Sequence, residues 1–78
     1  MIRELDSVVL TVDRPEYGLK NGDVGTVVLI HHGGAGYEVE FETLDGETVV
    51  VTSVAASQLR LGGRHEIAHV RALEYAPA

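Results

Sequence analysis

LKNGDVGTVVLI, residues 19–30, is the stretch whose reading decides the fold. Asn21, Gly22 and Asp23 tolerate positive φ or hydrogen-bond their own backbone, and the β-branched run that begins at Val24 favours an extended chain. A turn therefore feeds directly into a strand, and the same grammar recurs on both sides. Upstream, residues 7–12 (SVVLTV) alternate Val8, Leu10 and Val12 against Ser7, Val9 and Thr11, which predicts a first strand. Residues 13–23 form one long loop, because Pro15 removes a ladder donor and Gly18 permits conformations that other residues resist; Tyr17 and Leu19 pin it to the core. The second strand spans residues 24–31, and His32-Gly33-Gly34-Ala35-Gly36 follows as a turn. In the third, Tyr37, Val39 and Phe41 alternate strictly with Glu38, Glu40 and Glu42, the pattern of a half-buried strand with an all-carboxylate solvent face. Asp45-Gly46 signals a hairpin into a fourth strand at residues 48–52. Residues 53–58 read as a short helical turn, and Leu59-Arg60-Leu61 as a brief fifth strand pairing back onto the first. Five short strands, a long first loop and a turn before the last strand describe an all-β, SH3-like five-stranded barrel over residues 1–61; a sandwich would need more strands than this length allows.

A chain of 78 residues is one domain, burying only about 60–65% of the surface its unfolded form exposes. With four aromatic residues, Tyr17, Tyr37, Phe41 and Tyr75, the interior must be filled by Val, Leu and Ile. There is no cysteine, which removes disulfides, thiolate metal sites and Cys nucleophiles and suits a reducing cytoplasm. Ile2-Arg3-Glu4-Leu5-Asp6 has no apolar signal region, and no apolar run approaches the ~20 residues that cross a bilayer, so a cytoplasmic protein without membrane contact is expected. Twelve acidic residues against six basic ones give a formal charge of −6. The cations (Arg3, Arg14, Lys20, Arg60, Arg64, Arg71) are scattered among carboxylates, which disfavours nucleic acid as a partner.

Residues 62–78 form a C-terminal extension that packs on the barrel or on a second subunit. Ile67, Val70 and Leu73 would make a helical stripe, yet residues 67–71 also suit an edge strand; an added strand is the preferred reading, a short helix the other.

The segments ELDSVVLTVDRPEYGLKNGDVGTVV (residues 4–28), YEVEFETLDGET (37–48) and ASQLR (56–60) resemble a family of small bacterial proteins catalogued as domain of unknown function 4926. The resemblance covers most of the chain and extends more weakly to residues 67–71. It implies an SH3-like barrel, brings no established activity or catalytic residues, and allows an antitoxin- or immunity-like role.

The loudest chemical motif is His65-Glu66-Ile67-Ala68-His69, a literal H-E-x-x-H. On a helix it would stack two imidazoles for zinc, with Glu66 polarising the bound water, and a small zinc-dependent hydrolase is one alternative function. A zincin needs a third protein ligand and a cleft, however, and beyond His69 only Glu74 could serve as that ligand. Chance occurrence in a solvent-facing tail is preferred, and no metal or other cofactor is expected. His31-His32 beside Gly33-Gly34 could form a metal or phosphate site, but the preferred reading is the end of a strand at an exposed hairpin, since neither a P-loop nor a complete G-x-G-x-x-G is present. Ser7, Ser53 and Ser57 lack a nucleophile elbow, and Asp23 closes its turn on nearby backbone N–H groups rather than acting in catalysis.

The expectation is therefore a non-catalytic protein-binding module. Glu38, Glu40 and Glu42 form either a solubilising face or an acidic patch for a basic, toxin-like protein, and Pro15 and Tyr17 add a rigid turn and an amphipathic anchor. A nucleic-acid-binding barrel is a further alternative that rests on the fold alone. Both alternating sets in the second strand are apolar. If Val27 and Leu29 fill the interior, Val9, Val28, Ile30 and Val50 point outward, to be covered by the chain's own tail or by a second copy, and a homodimer is the preferred outcome.

Overall fold

A computed structural model describes residues 1–73; Glu74 and Tyr75, which entered the reading above, lie outside the described residues. Five antiparallel strands, β1 (Ser7–Leu10), β2 (Val24–His31), β3 (Gly36–Glu42), β4 (Thr48–Ala55) and β5 (Leu59–Leu61), form one sheet in the order β4-β3-β2-β1-β5. The all-β class and the return of β5 onto β1 are as expected. Closure into a barrel is not: β4 and β5 remain the two edges, with no ladder between them among the described residues. Arg14, from the long loop, reaches β4, its Nη1 donating to the Ser53 carbonyl at 3.3 Å.

One face of the sheet is the core. Val8, Leu10, Val27, Tyr37, Val39, Phe41, Val54 and Leu59 point into it, and Leu19 closes it from the long loop as anticipated. Tyr17 packs against it from a 3-10 turn over Pro15–Tyr17, where proline loses nothing because the first N–H of such a turn has no partner.

β1 ends at Leu10 rather than residue 12. The turn before β2 takes over its backbone, with Gly22 N–H donating to the Leu10 carbonyl at 2.8 Å and Leu10 N–H to the Asp23 carbonyl at 2.9 Å. β4 runs three residues further than its composition suggested, because Ser53, Val54 and Ala55 pair with Glu38, Tyr37 and Gly36. A cross-strand partner outweighs a weak local preference.

Two register shifts correct the expected faces. β2 slips against β3 between Val27 and Leu29, so Val28 is an extra residue and the alternation inverts after it. Ile30, expected outside, packs on the core, and Leu29, expected inside, is 47% exposed. A second shift between Phe41 and Glu42 leaves Val49 as the extra residue and turns Val50 inward onto the core. The proposed self-association surface thus loses Ile30 and Val50. Val28 stays exposed at 38%, and Val9 is half-buried beside the tail.

Residues 62–73 are neither strand nor helix. Satisfying no ladder, they lie across the sheet as an irregular strap held by side-chain ion pairs.

Candidate functional site

The outer face of the sheet carries Glu38, Glu40 and Glu42, and the ladder sets their neighbours. Leu29 and Ser53 flank Glu38, while Thr26 and Val51 flank Glu40. Leu29 and Val51 are about half exposed, so carboxylates and aliphatic side chains interleave on one surface.

The row is not a set of bare charges. The Glu38 carboxylate accepts from the Ser53 hydroxyl and from His31 Nε2, the latter at 2.7 Å. The Ser53 hydroxyl, then His31, holds the Glu38 carboxyl below the usual carboxylate range. Glu40 accepts from Thr48 Oγ1 at 2.7 Å. These partners moderate the repulsion that three like charges on one strand face would otherwise feel. His31, preferred from the sequence as a strand end, is therefore part of this face, and His32 is exposed in the following turn.

Ser53 joins the acidic face to the long loop. Its carbonyl receives Arg14 and its hydroxyl binds Glu38. Arg14 also donates to Glu16 at 2.9 Å and lies 5.4 Å from the centroid of the Tyr17 ring. The loop bearing Pro15 and Tyr17 and the acidic strand meet at β4, a juxtaposition that no local pattern announces because 39 residues separate Arg14 from Ser53.

The tail makes the second constellation. Arg60 grips Glu66 with two hydrogen bonds of 2.7 and 2.6 Å, and Gly63 N–H donates to the same carboxylate. Those donors, Arg60 above all, bring the Glu66 pKa down to about 2 from the usual 4.5. Glu66 is thus engaged with the root of the tail. His65 and His69 lie in irregular chain, without the helical turn that would stack their imidazoles, and no group of three potential ligands positioned to hold a metal occurs among the described residues.

Farther along, Arg71 Nε donates to Asp23 Oδ1 at 2.8 Å, and Nη2 to Asp23 Oδ2 at 2.5 Å and to the Gly18 carbonyl at 2.9 Å. Asp23 also accepts from Lys20 N–H at 2.8 Å, which is the turn closure expected of it. Burial pushes the Asp23 carboxyl up, but Arg71 and the Lys20 N–H together take it below its ordinary value. Beside this pair lies a cleft of about 430 Å³ bordered by Leu19, Val24, Phe41, Leu44, Val49 and Leu73.

A pH prediction follows from Glu66. Its folded pKa lies below its unfolded one, so the stability that the fastening adds is full above about pH 4.5 and shrinks below it, while in the folded chain the contact itself is lost only as pH falls through about 2. In an NMR titration the Gly63 amide should shift with a midpoint near 2, and Glu66→Gln should abolish that step. A midpoint at the ordinary carboxylate value would refute the fastening.

The class defined by this geometry is a single-sheet, antiparallel β-module with a charged outer face and a C-terminal strap. Residues 4–61 match the family described as Domain of unknown function (DUF4926), and the chain belongs to that family. The match ends at Leu61, so the strap lies beyond it. No curated protein and no solved structure matches the chain. No helix among the described residues is long and apolar enough to cross a membrane.

Proposed function

We propose that this chain is a non-catalytic protein-binding module that takes a basic protein on the outer face of β3. The observation that carries this reading is the interleaving of Glu38 and Glu40 with the half-exposed Leu29 and Val51 across three adjacent strands. Carboxylates steer a cationic partner into place, and aliphatic side chains between them supply area to bury once it arrives. The loop with Pro15 and Tyr17 borders this face through Arg14 and extends the contact surface. A partner that itself handles nucleic acid would present such a basic surface, and capping it would be an antitoxin- or immunity-like act.

The test is kinetic. A partner recovered by pull-down from the native host should associate with Glu40→Lys roughly tenfold more slowly at low salt, with the difference shrinking as ionic strength rises. Thermal stability should fall by no more than about 1 kcal/mol, because the change removes one partly exposed hydrogen bond, that from Thr48. An association rate that neither the substitution nor salt alters would remove this face from consideration.

A further inference from the structure

The strap is fastened to the sheet at few points. Every residue from Gly62 to Val70 is exposed, Ile67 at 94% and Val70 at 67%. Its far end is tied where Arg71 meets Asp23 and the Gly18 carbonyl, both half-buried. Among the described residues the neighbouring cleft remains open although Leu73 lies at its border. Residues that receive the strap, among them Gly18, Leu19, Asp23 and Phe41, fall inside the family match, whereas the arginine that fills the site falls outside it. Gly62 and Gly63 follow the last ladder pair directly, and Glu66, held there by Arg60 and by Gly63 N–H, fixes the root of the strap. The seven residues beyond Glu66 can span up to about 25 Å when extended, against a longest molecular dimension of 37 Å.

We propose that Asp23 and the Gly18 carbonyl form a guanidinium-receiving site that Arg71 fills within one chain and, as concentration rises, that Arg71 of a second copy fills instead. The chain then dimerises by reciprocal exchange of residues 67–73, beyond the Glu66 that Arg60 and Gly63 hold at the root. A second copy is the fitting occupant because its Val-Arg-Ala-Leu segment is the one the site already accepts, so the exchanged contact costs no new complementarity. Its cation also meets a carboxylate held ionised. Within one chain the short tether imposes a local concentration of about millimolar, which keeps dilute protein monomeric. This inference does not depend on the β3 carboxylates.

Complementation between two full-length variants tests it. Arg71→Ala cannot donate, and Asp23→Asn lacks the charge that receives, while its side-chain oxygen still serves Lys20 N–H. Each variant alone should self-associate poorly. Mixed, the tail of Asp23→Asn meets the intact site of Arg71→Ala with no competing tail, so labelled Asp23→Asn should bind Arg71→Ala at least about tenfold more tightly than either binds itself, roughly the effect of one recovered ion pair. Binding in the mixture no tighter than in the separate variants overturns the proposal. A second arm is independent of the folding of Asp23→Asn: a synthetic peptide of residues 62–73 should bind the Arg71→Ala chain at least about tenfold better than the same peptide with alanine for its arginine. Equal binding of the two peptides overturns it as well.

Discussion

Gly25→Ala should melt roughly 10–20 °C below the parent chain, a loss of about 2–3 kcal/mol in a domain this small. Gly25 lies on the inner face of β2 opposite Val8. A Cβ there would come 2.5 Å from Val39 Cγ1, 2.9 Å from Phe41 Cε1 and 3.0 Å from the Glu40 carbonyl oxygen. Val39 is fully buried and stiff at χ1, and the carbonyl belongs to the ladder, so neither yields without displacing β3. The glycine is required for space, since β3 side chains already occupy the volume its own would take. A calorimetric melt decides it: a shift under about 3 °C would mean that β2 and β3 part easily and that the close approach is not a constraint.

Phe41→Ala should cost about 3–5 kcal/mol, a large share of the roughly 4–12 kcal/mol expected for a chain of this length. Its ring is 2% exposed, sits between the core and the Leu19–Val24 cleft, and is the one phenylalanine in a protein with few aromatic residues. Urea unfolding should show the midpoint falling in proportion to the lost stability, with the slope preserved if the transition remains two-state. Because the ring is also one of the two side chains that obstruct a Cβ at Gly25, the pair should be coupled. In the Phe41→Ala background, Gly25→Ala should cost measurably less than it does alone, by at least about 0.5 kcal/mol. Strict additivity would place the obstruction wholly on Val39 and the backbone.

Local pattern carried much of the architecture. The Asn21-Gly22-Asp23 turn, the start of β2, the strict alternation of β3 and the Asp45-Gly46 hairpin all stand where propensity and period place them, because each depends on φ preferences and side-chain alternation within a few residues. The outward carboxylates of β3 belong to the same class of inference. Their partners do not: His31 and Ser53 reach Glu38 from neighbouring strands, seven and 15 residues away, and only strand register brings them there.

The sequence by itself determined that this is a five-stranded, all-β chain with a core of aliphatic residues, an acidic outer strand and a long pinned loop. Tertiary structure alone decided which apolar residues face in. Where both alternating sets of β2 and β4 are apolar, period 2 has no preferred phase, and the bulges at Val28 and Val49 turn Ile30 and Val50 inward while leaving Leu29 outside. It also decided that the sheet stays open at β4 and β5, and that the tail is a strap rather than a strand or helix. Its hold on the sheet comes from Arg71 meeting Asp23 across 48 residues and Arg60 meeting Glu66, contacts between charged side chains that leave no periodic trace in the chain that makes them.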